Sequence, residues 1–353
     1  MTRSSGCGIQ GYNDAVENGF LIYRREYNPQ AFSAERVSRG VILPPESFFY
    51  SPIERITFMK IGIGTYSFGG IASILGLGPT LKEQFEAAKK IGFEQVELLQ
   101  VNLSHPPEDI KKWLDETGLE VVSVHAEPTE ETIKAMAAIG GKAVIWPQTP
   151  FCNKAEAIEV ARHLEKMAEF AEPLGVKVGY HNHSWEFFTC EGKSLLEHLL
   201  DGGTKFYAQL DCGWAMNGGI YPSYFIRKYK NRILSIHVKE NSKVNGPGGV
   251  PASRHDESTR KSPFGDGNIM DKPVEERQKI LEQITERIKA GSYQMNNQCK
   301  IGAPESNIDW LDVKKALDEQ DFAADWIVER EGFYDEHDKC LADDYAWLKA
   351  NIK

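Results

Sequence analysis

The stretch Val176-Lys177-Val178-Gly179-Tyr180-His181-Asn182-His183 is a short apolar run that ends in histidine. Three later runs end in the same manner: Tyr207-Ala208-Gln209-Leu210-Asp211, Ile233-Leu234-Ser235-Ile236-His237 and Asp325-Trp326-Ile327-Val328-Glu329. Each reads as a β-strand with His, Asp or Glu at its C-terminal end. In a closed parallel barrel those ends meet at one mouth, where active sites sit. Four residues far apart in sequence would then surround one point. Each has a bland explanation by itself. A strand-end His is often a hydrogen-bonded structural residue, Asp211 before Cys212-Gly213 fits a turn cap, and Glu329 beside Arg330 fits an ion pair. Four strands ending this way ask for a shared reason, because buried charge is costly unless paired or bound to a metal.

Outward from these runs, strands and helices alternate from Met59 to the end of the chain, which argues for a parallel α/β fold. Strands are expected at 61–65, 95–99, 120–125, 143–146, 176–181, 206–210, 233–238 and 325–329. A helix follows each. The first carries Leu81, Phe85, Ala88 and Ile91 at helical spacing and stops at Gly92. Eight units in strict alternation predict a (β/α)8 TIM barrel for residues 59–353. Gly62-Ile63-Gly64 begins like a dinucleotide fingerprint, but its glycines lie within the strand and Phe68 breaks the pattern, so no dinucleotide site is read there.

Two regions break the rhythm. Residues 240–306, between strand 7 and helix 7, are too long for a simple loop. They contain Gly246-Pro247-Gly248-Gly249, a charged run at 254–261 and Pro263-Phe264-Gly265-Asp266-Gly267. They also contain an expected helix at 273–290 with Val274, Ile280, Leu281, Ile284 and Ile288 as an apolar stripe. Because loops at this face of a barrel carry specificity, the insertion is expected to cover the site or to form a subunit contact in a homo-oligomer. Residues 1–58 are rich in Ser, Gly, Arg and Tyr without a sustained period. They read either as an extension upstream of a start at Met59 or as an arm or lid in which Val41-Ile42-Leu43 and Phe48-Phe49-Tyr50 pack.

Composition narrows the function. A formal net charge of −10 argues against a broad electrostatic grip on nucleic acid or an anionic membrane. None of the six cysteines forms a CxxC pair, so reduced thiols are expected. No apolar run approaches the roughly 20 residues that span a bilayer, and the N-terminus has no secretory h-region. A cytoplasmic protein acting on a small molecule is the expectation.

The residues also carry a family resemblance. Gly179-Tyr180-His181-Asn182-His183-Ser184-Trp185-Glu186-Phe187, Leu210-Asp211-Cys212-Gly213-Trp214, Ser235-Ile236-His237-Val238-Lys239, Ile327-Val328-Glu329 and Val122-Ser123-Val124-His125-Ala126 resemble the xylose isomerase-like sugar phosphate isomerase/epimerase superfamily, in a His-Asn-His variant. The resemblance covers residues 59–353 apart from the insertion. It implies one divalent metal held by Glu, Asp, His and Glu from strands 5 to 8. Asp211, His237 and Glu329 match the last three positions, and His181 stands where the family has Glu. In the ketose 3-epimerases the strand 5 and strand 8 glutamates form the acid/base pair, so this chain cannot use that pair unchanged.

The metal ligands expected are His181, Asp211, His237 and Glu329. The ion expected is Mn²⁺ first, with Co²⁺, Fe²⁺, Zn²⁺ or Mg²⁺ as alternatives; the mixed set suits such ions better than Ca²⁺. The expected chemistry is proton abstraction next to a carbonyl of a sugar or polyol, assisted by that metal. Candidate bases are Glu329, His183 and Glu186, and Lys239, two residues beyond His237, is a candidate oxyanion stabiliser. Tyr66, Trp146, Trp185 and Trp214 are candidate sugar-stacking residues, and Glu97 and His125 candidate partners for substrate hydroxyls. Proton return gives the leading expectation, an isomerase or epimerase. Loss of a β-substituent gives the alternative, a dehydratase acting on a keto-inositol or a lyase acting on a 3-keto-glycoside. A repair nuclease and a non-catalytic sugar-binding protein are the remote alternatives. The acidic charge speaks against the first, and the retained ligand set against the second. No phosphate loop is apparent near strands 7 and 8, which favours an unphosphorylated substrate.

Overall fold

A computed structural model of the chain describes residues 59–241, 243–256, 269–289 and 299–353. The expectations for residues 1–58 and for Pro263–Gly267 lie outside the described residues. Eight parallel strands close into a barrel: β1 (Ile61–Gly64), β2 (Gln95–Leu99), β3 (Glu120–His125), β4 (Ala143–Trp146), β5 (Lys177–His181), β6 (Tyr207–Asp211), β7 (Ile233–Val238) and β8 (Asp325–Val328). They follow one another round the barrel in chain order, and β8 closes on β1 through the register Ile61↔Trp326 and Ile63↔Val328. The (β/α)8 expectation and the strand positions agree with this to within a residue. Glu329 falls one residue past β8, where its amide donates to the Val238 carbonyl (3.3 Å).

Each strand leads into a helix: α1 (Leu81–Ile91), α2 (Pro107–Thr117), α3 (Glu130–Ala138), α4 (Lys154–Ala171), α5 (Leu195–Asp201), α6 (Pro222–Lys228), α7 (Trp310–Asp318) and α8 (His337–Asn351). Their starts are chemical. Thr80 with Glu83 and Ser194 with Glu197 form reciprocal capping boxes, Asn153 caps α4, and Pro107 and Pro222 open their helices. The α2 helix ends where Gly118 takes a left-handed φ of 65°, the conformation a side chain disfavours. Between β5 and α5 a short hairpin pairs Thr189–Cys190 with Lys193–Ser194, an element too small to show in the sequence pattern.

The main apolar core lies between strands and helices. Ile61, Ile63, Val96, Leu98 and Val124 are fully buried there, each contributing roughly 1.5–3 kcal/mol by burial. The opposite strand face carries polar residues into the barrel: Gln95, Glu97, Ser123, Gln209 and Ser235 are all buried. Within the insertion, the expected helix runs Val274–Lys289. The five described cysteines are free thiols, and no helix among the described residues is long and apolar enough to cross a membrane.

Candidate metal centre at the barrel mouth

The period-2 geometry of a strand puts residues i and i+2 on one face, and this rule builds the site in two layers. Ser123, Gln209 and Ser235 form the lower layer, and His125, Asp211 and His237 stand two residues further along the same strands. His181 ends β5 beside them. One ligand atom from each of His181, Asp211, His237 and Glu329 falls within 4.8 Å of the others, and all four residues are buried. A three-imidazole grouping of His125, His181 and His237 has the same spacing. We favour the four-residue set, because its two buried carboxylates, Asp211 and Glu329, would balance the charge of a divalent cation and the three imidazoles would not.

The lower layer orients the upper one. His237 Nε2 lies 2.7 Å from Glu97 Oε1, and its Nδ1 lies 3.1 Å from Glu329 Oε2 and 3.7 Å from Asp211 Oδ2. His181 Nδ1 lies 3.1 Å from Gln209 Oε1, and its Nε2 lies 3.9 Å from Asp211 Oδ2. Donation of a ring N–H to Glu97 and Gln209 respectively would leave the other nitrogen of each imidazole turned to the Asp211 and Glu329 oxygens. This is the arrangement by which outer partners fix the tautomer of metal-binding histidines. Gln209 is itself held, donating to Glu97 Oε2 (2.6 Å) and Ser235 Oγ (3.1 Å).

Asp211 has two duties. Its Oδ1 accepts from the Trp214 amide at 2.8 Å and caps the short helix Cys212–Asn217, so the bland reading of this residue holds too. Its Oδ2 is buried, with Lys239 Nζ 3.0 Å away but no donor aligned for a hydrogen bond. A buried carboxylate oxygen so placed is costly without a cation, a part that Lys239 fills and that a bound metal would share. Asn182 fixes the strand end: the Asp211 amide donates to Asn182 Oδ1 at 3.0 Å. Gly213 allows close approach of β7, since a Cβ there would stand 2.6 Å from the Lys239 carbonyl oxygen.

Lys239 is buried amid carboxylates. Its Nζ lies 2.6 Å from Glu329 Oε2, 2.7 Å from Glu331 Oε1 and 3.0 Å from Asp211 Oδ2, and 5.2 Å from the Trp214 ring centre. Electrostatics follow from this crowding. Burial raises the Glu329 carboxyl, but Lys239 and His237 outweigh it and hold the group well below its ordinary range. Burial alone would lower His237, but Glu329 and Glu97 raise it well above the usual imidazole value. His181 is lowered by burial and by the neighbouring His237 and His125. Burial pushes Glu97 up, yet His125 and His237 bring it down to about 2.

A cavity of about 1370 Å³ opens above this centre and is lined by Tyr66, His125, His181, His183 and Glu329. The structure places several expected substrate contacts elsewhere. Glu97 lies beneath the ligands, bonded to Ser123, Gln209 and His237, so it supports the centre and does not face substrate. Trp146 sits on the outer strand face in the apolar core, 5.1 Å ring to ring from His163 of α4. Trp185 packs edge-on to Phe151. Trp214 is buried beside His183 and Lys239 and does not line the cavity. Glu186 is fully buried and accepts from the Tyr180 hydroxyl (3.0 Å) and the His183 amide (2.7 Å), so it braces the His183 turn and is not placed to act as a base. The sequence reading passes over Gln209, Asn182 and Glu331. A usable signal existed for two of them: Gln209 lies two residues before Asp211, and Glu331 two after Glu329.

The family model described as xylose isomerase-like TIM barrel matches residues 85–276. The chain belongs to this family. Among solved structures, a sugar phosphate isomerase/epimerase from Parabacteroides distasonis superposes with a TM-score of 0.59 at 18% identity, over 85% of this chain and 97% of that one. An L-ribulose 3-epimerase gives 0.52 at 14% identity, over 83% and 94%. At such identities these likenesses speak for the fold. Two curated relatives are inosose dehydratases: one from Clostridium beijerinckii, 28% identical over 167 residues, and one from Clostridium tetani, 31% identical over 97. The matched segments cover 38% and 27% of this chain, and span only 56% and 32% of those relatives' lengths.

Proposed function

We propose that this family member is a divalent-metal-dependent enzyme that removes a proton next to a carbonyl of a sugar or polyol, with β-elimination as the favoured outcome. The observation that carries the reading is the donor set His181, Asp211, His237 and Glu329, gathered within 4.8 Å with both imidazoles oriented from behind. A divalent cation there would polarise the carbonyl and offset the negative charge that develops as the neighbouring carbon loses its proton. Mn²⁺ is the first choice for a mixed nitrogen and oxygen set, ahead of Co²⁺, Fe²⁺, Zn²⁺ and Mg²⁺.

The remaining groups have distinct tasks. Glu329, at the cavity wall, is the carboxylate placed to take the proton. Lys239 balances the carboxylates of Glu329, Glu331 and Asp211, so that charge at the mouth does not repel an electron-rich substrate. His183 lines the cavity with Glu186 Oε1 3.9 Å behind its Nδ1, a distance beyond a hydrogen bond but close enough for charge to act. Burial lowers His183, and Glu186 more than restores it, so its net shift is upward and it can hold a proton for a departing hydroxyl or alkoxide.

Epimerisation is the second reading, and the shared fold of the epimerase structures favours it. It needs acid/base groups on opposite faces of one carbon. An imidazole at position 181, where the epimerase pair has a carboxylate, weighs against it. Inosose dehydratases among the relatives weigh toward elimination. Incubation of metal-loaded protein with a panel of keto-sugars and keto-inositols in D₂O tests both readings. Elimination yields a product lacking water or a released aglycone, epimerisation yields deuterium at the inverted carbon, and absence of exchange and of product across the panel would sink the proposal.

A further inference from the structure

The cavity has two kinds of wall. One is polar and includes His181, His183, Glu329 and Glu331. The other is mainly apolar. Leu281, Ile284 and Ile288 of the insertion helix line it, three and four residues apart and so on one helix face, together with Ile71 and Ile74 from the segment after β1; Thr285 and Arg287 of the same helix also border the cavity. Both belong to one continuous space of about 1370 Å³, above the roughly 300–1,000 Å³ usual for a small-molecule site. An unsubstituted sugar ring bound at the polar wall would leave much of this space filled with water against isoleucine. Turning its hydroxyls to that wall would strip them of partners, at the cost of unmade hydrogen bonds. The apolar wall is also held in place. Arg277, buried at the start of the insertion helix, donates from Nη1 to the Leu75 carbonyl at 2.7 Å, tying the helix to the segment that supplies Ile71 and Ile74.

We propose that this wall seats an apolar substituent of the substrate, so that the substrate is a sugar or polyol carrying an aromatic or aliphatic group, as in a glycoside with an apolar aglycone. The inference deepens the function proposed above and rests on it for the sugar end of the ligand. The continuity of the isoleucine wall with the metal-ligand wall is what selects a substituent of the substrate over a separate docked partner.

The test is direct binding to the metal-loaded full chain by calorimetry, with methyl β-D-glucopyranoside and phenyl β-D-glucopyranoside as probes. The phenyl glycoside should bind about 10-fold or more tightly, the scale set by adding apolar volume to a fitted apolar pocket. Replacing Ile284→Asn together with Ile288→Asn should bring the phenyl-to-methyl ratio close to one. Because the paired change could release the helix, Ile284→Trp serves as a second variant: it fills the space and should lower the same ratio with the helix retained. A ratio near one in the unmodified protein overturns the inference, and so does failure of both probes to bind. So does a ratio near one with self-association that shields the insertion helix from hydrogen exchange, which would make the wall a chain-to-chain contact. A high ratio together with no α-proton exchange across the keto-sugar and keto-inositol panel in D₂O would remove the proposed chemistry and leave the apolar seat supported.

Discussion

The polar floor and the apolar roof of the cavity are built by different means. The floor is positioned by strand register: Asp211 pairs across to His237, and Ile327, two residues before Glu329, pairs with the same His237. The backbone positions of its residues cannot shift without breaking a closed parallel barrel. The roof, the helix Val274–Lys289, is held by a few side-chain ties that cross long stretches of chain, chiefly Arg277 to Leu75. Register gives the precision that metal binding and proton transfer need. Side-chain ties give a wall that can be changed without disturbing the floor. The contrast matches a division of labour between chemistry below and recognition above.

The sharpest way to break this picture is to remove a floor ligand. His237→Ala, Glu329→Ala and Asp211→Asn should each abolish stoichiometric divalent-metal binding, measured by calorimetry and by metal content after dialysis. Asp211→Asn keeps an oxygen for the Trp214 amide and hence the cap, so loss of metal there reports lost charge and not a frayed helix. Metal that survives all three changes would refute the site.

Next in size is the layer beneath. Glu97→Gln keeps shape but removes the charge behind His237, and loss of such an outer partner typically costs about 10–100-fold in metal affinity. The same region predicts a pH dependence. A metal-free His237 holds its proton above the ordinary imidazole range because of Glu329 and Glu97, despite burial. Metal must displace that proton, so apparent affinity should rise with pH through the folded value. In metal-free protein the sign for stability is opposite. The raised value contributes stability that is complete below the unfolded imidazole value and is lost as pH rises through the folded one. Calorimetric titration and thermal melts of the metal-free protein over the same pH series should therefore trend in opposite directions.

How much of this was legible in the sequence follows from the same contrast. The floor was legible because strand ends and period-2 alternation are local patterns, and His181, Asp211, His237 and Glu329 each close one. The supporting layer was not. Ser123, Gln209 and Ser235 look like ordinary polar interruptions in a strand until closure brings β2, β3, β6 and β7 round one axis, when Gln209 reaches Glu97 across 112 residues. Trp146 differs from the sequence expectation for a reason that parity exposes. It lies on the strand face opposite Ala143 and Ile145, so it packs outward on His163. Glu186 failed similarly, because its two oxygens are consumed by Tyr180 and the His183 amide, a local hydrogen-bond pattern that charge alone does not announce. The roof helix was visible as an apolar stripe, but a stripe gives a face without naming what it covers. Its anchor, Arg277, finds its partner 202 residues away.

Breaking that anchor is the next test. Arg277→Ala removes a charged donor from the buried Leu75 carbonyl, a loss of roughly 1.5–3 kcal/mol for such a bond. The cost should be local. Hydrogen exchange over 274–289 should accelerate while divalent-metal stoichiometry at the floor is retained. Loss of metal along with the roof would show that the two walls are one cooperative unit.

The smallest effect is expected at Glu156, where the insertion touches the barrel a second time. This buried carboxylate accepts from the Cys152 amide (3.1 Å), the Ser253 hydroxyl (2.7 Å) and the Arg254 amide (2.9 Å), so it joins the β4–α4 loop to the insertion. Burial raises its value, but the bonds from Ser253, Arg254 and Cys152 prevail and bring it to about 2. A depressed carboxylate contributes stability above its unfolded value, near 4.3 in model peptides, and loses it as pH falls toward the folded one. The 253–254 tether should therefore loosen between roughly pH 4.3 and 2, read as faster hydrogen exchange at the Arg254 amide. Glu156→Gln has no charge to lose. It should start looser, since three bonds to a carboxylate become bonds to a neutral amide, and show little of the acid dependence over that window. If the variant and the unmodified protein loosen in parallel as pH falls, the acid response belongs to some other group, and the second tether is not held by Glu156.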